Sequence, residues 1–256
     1  MSLQQIAEAL RAAEASATPI PAIRDRVMTG EDAYAIQEIN TEARLAAGGR
    51  LVGRKIGLTN PAVQAQLGVD QPDYGMLFAD MDLAHGAVLP WSEGAQWKAE
   101  AELAFVIGRD LSMPDCTMAE AIRAVEYVVP SFEIVGSRIA NWDIKFVDTV
   151  ADNASSAFFT LGPSARKLTD ADLLNCRMEM RSGDEVVSEG VGRACLGSPL
   201  NALLWLARTM AKAGRPLGEG DVVLSGALGP MVAATPGARL TAEIEGFGET
   251  AIGFGE

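Results

Sequence analysis

The run WKAEAELAFVIG (residues 97–108) sets two glutamates, Glu100 and Glu102, at the head of a strongly apolar stretch. A second run, YVVPSFEIVG (residues 127–136), places Glu133 among Phe132, Ile134 and Val135. Apolar, β-branched and aromatic residues bounded by glycine predict β-strands for both. Strand side chains alternate faces, so Glu100 and Glu102 share a face about 7 Å apart along the chain. Like charges so placed need a proton, a cation or open water. Glu133 is the stronger anomaly, because a buried, unpaired carboxylate is costly. Three carboxylates converging on one point form a hard-oxygen site suited to Mg²⁺ or Mn²⁺. On pattern alone two other readings stand: Glu-x-Glu on the solvent face of an edge strand, and Glu133 paired with an arginine such as Arg138.

The rest of the chain predicts α+β content. Leu3, Ile6, Ala7 and Leu10 form one stripe of a first helix, and Pro19 and Pro21 break the chain. Thr29 with Asp32 opens a second helix that Gly48-Gly49 closes. From Leu51 onward the texture is of short strands punctuated by glycine. We therefore expect an N-terminal helical region (residues 1–50) and one catalytic domain (residues 51–256). A short helix is expected over 62–67, a turn at Pro72-Asp73, and a helix opened by Thr117 and Glu120. CRMEMRSGDEVVSEG (176–190) reads as a hairpin, a helix follows Pro199, and three strands end the chain.

Composition narrows the function. Of 256 residues, 48% are hydrophobic, enough for a large core, and the net charge is −13. Such a balance argues against nucleic acid and anionic membranes as partners. Cys116, Cys176 and Cys195 show no metal-binding spacing and read as free thiols in a reducing compartment. No apolar window is long enough to cross a membrane, and the amphipathic N-terminus lacks the apolar core of a signal peptide, so a cytoplasmic location is expected. A single histidine, His85, before a glycine in DLAHGAVLP (82–90), leaves no multi-histidine metal site and reads as a loop residue.

Other residues have two readings each. Lys55, in GRKIG, either snorkels at a sheet edge or points into a site, where it would polarise a carbonyl or hold a carboxylate. Asp73 is a turn former or a general acid/base on a loop over the site. SGALGPM (225–231) is a tight interstrand loop or a nest of amides for a carboxylate, and it matches no P-loop or dinucleotide fingerprint. Asp148, Asp152 and Asn153 are turn formers or additional ligands.

With these pieces in view, the sequence resembles the hydratase/decarboxylase branch of the fumarylacetoacetate hydrolase superfamily. The resemblance spans nearly the whole chain. It rests on GRKIGLTNPAVQAQLGVDQPDYGMLFADM (53–81), EAELAFVIGRDL (100–111), EIVGSRI-x-x-W (133–142), FVDTVADNAS (146–155), LGSPLNALLWLA (196–207) and SGALGPMVA (225–233). It implies a β-rich roll of mixed sheets preceded by N-terminal helices, and a homo-oligomer. It also implies metal ligation by Glu100, Glu102 and Glu133, with Mg²⁺ or Mn²⁺ as cofactor, and catalytic roles for Lys55 and Asp73. Leu67, Ser155, Gly226 and Leu228 fall on substrate-binding positions. The implied reaction adds water to 2-hydroxypenta-2,4-dienoate in aromatic meta-cleavage catabolism. The alternatives are decarboxylation of 2-oxo-3-hexenedioate, hydration of a longer dioic acid, or service as the non-catalytic partner of a decarboxylase. One departure stands out: relatives carry proline and arginine shortly before Glu-x-Glu, where this chain has Trp97-Lys98-Ala99.

Overall fold

The computed structural model describes residues 1–27, 29–60, 64, 69–92, 94 and 96–256. The stripe in the first helix, α1 (Leu3–Ser16), buries Ile6, Ala7 and Leu10. Ser2 caps it, accepting from the Gln5 amide while the Gln5 side chain accepts from the Ser2 amide. The second, α2 (Gly30–Ala46), starts where the Thr29 hydroxyl accepts from the Asp32 amide, as expected. These helices enclose a small core of their own with Ile23, Val27, Ile139, Val150 and Ala151, so the N-terminal region is stapled to residues far along the chain.

A mixed sheet carries the site. Its path runs β2 (Asp73–Phe78), β1 (Leu51–Gly57), β10 (Val222–Leu224), β5 (Trp97–Ile107), β6 (Val125–Gly136), β7 (Ser156–Leu161) and β3 (Asp82–Leu83), with β11 (Val232–Ala233) also paired to β5. β1 pairs parallel with β10 and antiparallel with β2. The two glutamate-bearing runs, β5 and β6, lie antiparallel side by side. A second sheet, in the order β4 (Val88–Leu89), β13 (Gly248–Phe254), β12 (Arg239–Ile244), β8 (Arg177–Ser182) and β9 (Glu185–Val191), packs on the first where β13 meets β6 and β7. One continuous core lies between them, with Phe105, Phe132, Phe159 and Phe247 fully buried.

Three further helices follow among the described residues. α3 (Met118–Ala124) opens with the expected Thr117–Glu120 capping box. α4 (Phe146–Ala151) leads into β7, and α5 (Pro199–Lys212) has the predicted proline in its first turn. The 176–190 stretch forms the expected hairpin, and His85 lies exposed in a turn. The architecture is therefore the α+β arrangement of N-terminal helices and mixed sheets that the sequence predicted. Apart from Gln64, the helix expected over 62–67 lies outside the described residues, as does Leu67. The turn expected at Pro72-Asp73 is corrected: Asp73 begins β2, its backbone paired with Gly57. Turn-forming residue types lose here to ladder pairing and to the pull of a buried cation on the Asp73 carboxylate.

Candidate metal centre

The antiparallel register of β5 and β6 sets Glu100 directly opposite Glu133. Alternation puts Glu102 on the same face, and one carboxylate oxygen from each of the three lies within 4.8 Å of the others. Glu102 and Glu133 are fully buried and Glu100 partly so. The edge-strand reading of Glu-x-Glu fails, because β5 is flanked by β10 and β6. The arginine reading of Glu133 fails too: Arg138 is bound to the Asp152 carboxylate and to the carbonyls of Gly136 and Ser156.

Lys55 is the cation that reaches Glu133. It is 3% exposed on β1, and its Nζ lies 3.1 Å from Oε1 of Glu133. Asp73 reaches the same space from β2. The residue that makes room for Asp73 is Gly57, opposite it in the ladder. A Cβ there would lie 2.2 Å from the Asp73 Oδ1 and 3.4 Å from the Lys55 Nζ. The signal was present in the sequence as Gly-x-Lys-x-Gly, since alternation places Gly53 and Gly57 on the face of Lys55. Neither residue sits on a glycine-rich turn; both are strand residues held on a rigid frame.

The electrostatics are those of too many carboxylates in too little water. Burial, then the charge of Glu133, pushes Glu100 up to about 7, with Lys55 opposing. Burial, with Glu133 and Glu100, raises Glu102 well above the carboxylate range. Burial also lifts Asp73 to about 6 against the pull of Lys55. For Lys55 burial disfavours the ammonium, but Glu133, Asp73, Glu100 and Glu102 outweigh it and hold the charge on. Oε2 of Glu133, Oε1 of Glu102 and Oδ1 of Asp73 accept no hydrogen bond, and Oε1 of Glu133 has only the Lys55 ammonium beside it. Orphaned, converging, anionic oxygens in a buried site fit a hard divalent cation, which takes oxygen ligands at about 2.0–2.6 Å. The donor set is thus capable of holding a divalent metal ion.

The other candidates distribute unevenly. The Gly226 amide, in the left-handed region at φ 102°, donates to Oε2 of Glu102 at 2.7 Å. The 225–231 loop therefore does serve a carboxylate, and it is a side chain of this protein. Leu228 is fully buried in the main core, its amide bonded to the Ala101 carbonyl. Ser155 is buried with its hydroxyl 3.2 Å from that of Thr149. Asp148 and Asp152 are structural. Asp148 accepts from the amides of Ile23, Arg24 and Lys145 and pairs with Arg24. Asn153 is structural as well, and its role was not foreseen: its carboxamide accepts from the Met76 amide at 2.7 Å and donates to the Met76 carbonyl at 2.9 Å. Gln37, from α2, donates to the carbonyls of Tyr74 and Val150. Together they hold the outer edge of β2, the strand that carries Asp73. Asn153, Ala154 and Ser155 have φ of 53°, 51° and 56°, a left-handed turn that L-residues adopt at about 1–2 kcal/mol each. Asn153's paired bonds to β2 offset part of that cost.

Comparison with known proteins identifies the family. The fumarylacetoacetate (FAA) hydrolase C-terminal family matches residues 50–253. A 2-keto-4-pentenoate hydratase 2 of Dechloromonas aromatica (strain RCB) is 58% identical over 256 residues, covering 99% of this chain and 98% of that protein. The TodF product hydratase of Pseudomonas putida is 54% identical, covering 94% of this chain and 91% of its own. Among solved structures, 4-oxalocrotonate decarboxylase from Pseudomonas putida G7, complexed with magnesium and adipate, superposes with a TM-score of 0.93 at 33% identity, covering 98% of this chain and 97% of that one. The chain therefore belongs to the fumarylacetoacetate hydrolase family.

Proposed function

We propose that this protein is a metal-dependent hydro-lyase that adds water to 2-hydroxypenta-2,4-dienoate, giving 4-hydroxy-2-oxopentanoate. The observation that carries the reading is the joining of a buried three-glutamate cluster to Lys55 and Asp73. Identity of 58% to a 2-keto-4-pentenoate hydratase supports the substrate class. Glu100, Glu102 and Glu133 would hold Mg²⁺ or Mn²⁺. Bound there, the ion would act as a Lewis acid toward the C2 oxygen of the substrate.

The chain's own residues supply the rest. Lys55 keeps its proton and presents fixed positive charge to the negative charge that develops on the substrate during ketonisation. Asp73, lifted to about 6, is able both to give and to take a proton near neutrality. The balance is one proton lost from the C2 hydroxyl and one gained at C5 in ketonisation, then water's hydroxyl to C4 and its remaining proton to C3. Ser155 and Gly226, with Leu67 and Leu228, are proposed to line the substrate's path.

A decarboxylase reading has its own support, the TM-score of 0.93 to 4-oxalocrotonate decarboxylase. Supplying 2-hydroxypenta-2,4-dienoate and 2-oxo-3-hexenedioate separately, and following products by NMR in D₂O, separates the two. Hydration of the dienoate is the expected result. Release of CO₂ from the hexenedioate, with the dienoate untouched, would overturn it. Stripping metal with a chelator should abolish turnover, and Mg²⁺ or Mn²⁺ should restore it; full turnover without metal would sink the metal assignment.

A further inference from the structure

We propose that Lys98, held against Trp142, is a substrate-recruiting residue: the cation at the open end of the glutamate face that draws an anionic 2-oxo acid into the site. This rests on the function proposed above. Lys98, Glu100 and Glu102 alternate along one face of β5. Exposure rises outward along that face, from Glu102, fully buried, to Glu100 and Lys98, both partly open. Solvent therefore meets the site at the Lys98 end.

The ammonium is positioned by a built device. Its Nζ lies 4.0 Å from the centroid of the Trp142 ring. A cation over an indole face is attracted without being neutralised. Among the described residues it forms no ion pair, whereas Lys55 and Lys167 both do. The ring is fixed in turn by the segment leading into β5. The Trp142 indole N–H donates to the Gln96 carbonyl at 2.8 Å, and the Asn141 amide to the Gln96 Oε1 at 2.7 Å. The Gln96 side chain also donates to the carbonyls of Ser137 and Ile139. Gln96, Asn141 and Trp142 all have left-handed φ, 49°, 60° and 53°. Three strained non-glycine residues thus lie around this lysine.

Charge explains what such a lysine would do. The protein carries −13 overall. With a divalent cation bound and the carboxylates ionised, the three glutamates and Asp73 still outweigh the ion and Lys55 by one negative charge. A carboxylate substrate approaches against that field. A further cation at the mouth offsets that excess, and charged clefts of this kind alter encounter rates by about 10–10³-fold.

The test uses 2-oxopentanoate, a saturated 2-oxo acid, as probe on the metal-loaded enzyme, with calorimetry at low salt and at about 1 M salt, where screening acts beyond about 3 Å. Lys98→Met should weaken binding about 10-fold at low salt, and most of that difference should vanish at high salt. Lys98→Arg should restore it, and the loss in turnover should fall on KM rather than kcat. Equal binding by wild type and Lys98→Met at low salt would overturn the proposal. So would a loss that persists at high salt and is shared by Lys98→Arg, since that marks packing on Trp142. A metal titration of each variant keeps the readings apart. Wild type that binds metal but no 2-oxo acid refutes the proposed function, and the role of Lys98 falls with it.

Discussion

Gly57 decides where Asp73 can sit. Its missing side chain is the space that the Asp73 carboxylate occupies, with the Lys55 ammonium beside it. Gly57→Ala should leave the metal cluster on β5 and β6 intact but displace Asp73, and misplacement of a reacting group by about 1 Å costs about 10²-fold in rate. Metal titration paired with kcat checks this; a near-normal kcat would refute it. For Lys55, loss of one charge-stabilising donor predicts a fall in kcat of about 10²–10³-fold in Lys55→Met. A normal kcat in that variant would remove Lys55 from the chemistry. The raised carboxylates give a third test. In metal-free protein Glu100 is lifted to about 7 and Asp73 to about 6. The folded state then holds protons that the unfolded chain has already lost, so the metal-free fold loses stability as pH rises through about 7. A bound cation needs the same carboxylates deprotonated, so binding releases protons and weakens as pH falls below that value. The gain in Tm on adding Mg²⁺ should therefore be larger at pH above the transition than below it. A gain that ignores pH would show that these glutamates do not hold the ion.

At the scale of elements, β2 shows how an edge strand becomes rigid enough to carry a catalytic side chain. Its inner edge pairs with β1, and part of its outer edge is satisfied by side chains: Gln37 on the Tyr74 carbonyl and Asn153 on both polar groups of Met76. Gln37→Ala would bare two carbonyls in the interior, each at about 1–3 kcal/mol. We expect a lower denaturation midpoint with an unchanged m-value; an unchanged midpoint would mean that water or a neighbour replaces the amide. These clamps also mark the limit of what sequence could show. The alternation in β5 and β6 was legible, because period-2 burial is a local pattern. Their register was not, and it is the register that brings Glu133 opposite Glu100. Asp73 was misread because Pro-Asp-Tyr-Gly is made of turn residues, while the pairing that overrides them comes from Gly57, far back in the chain. Arg138 offered itself as a partner for Glu133 by charge alone, and the Asp152 that claims it becomes visible only once α4 is placed. Asn153 and Gln37 act across separations of 77 and 37 residues, and no local pattern announces such bonds.

For the whole molecule, surface apolarity and charge pull against each other. Val88, Ile122, Met231, Tyr127 and Val186 are each between 39% and 58% exposed. Single exposed apolar residues mean little, but together with the assembly that the sequence resemblance implies they lead us to propose a homo-oligomer. Net charge of −13 on every copy opposes that assembly through mutual repulsion. Burial of apolar surface is insensitive to moderate salt, whereas repulsion between like-charged copies is screened within about 8–10 Å at physiological ionic strength. The two terms therefore separate experimentally. If apolar contacts hold the subunits and charge only weakens them, dilution should dissociate the assembly more readily at low salt, and added salt should tighten it. Sedimentation at micromolar concentration should then show a multiple of 27.0 kDa that persists to lower protein concentration as salt rises. A single 27.0 kDa species under all conditions would contradict the oligomer. Dissociation by salt would instead place ion pairs, not apolar surface, at the contacts, and would point to the basic residues of this acidic chain as the ones that hold its copies together.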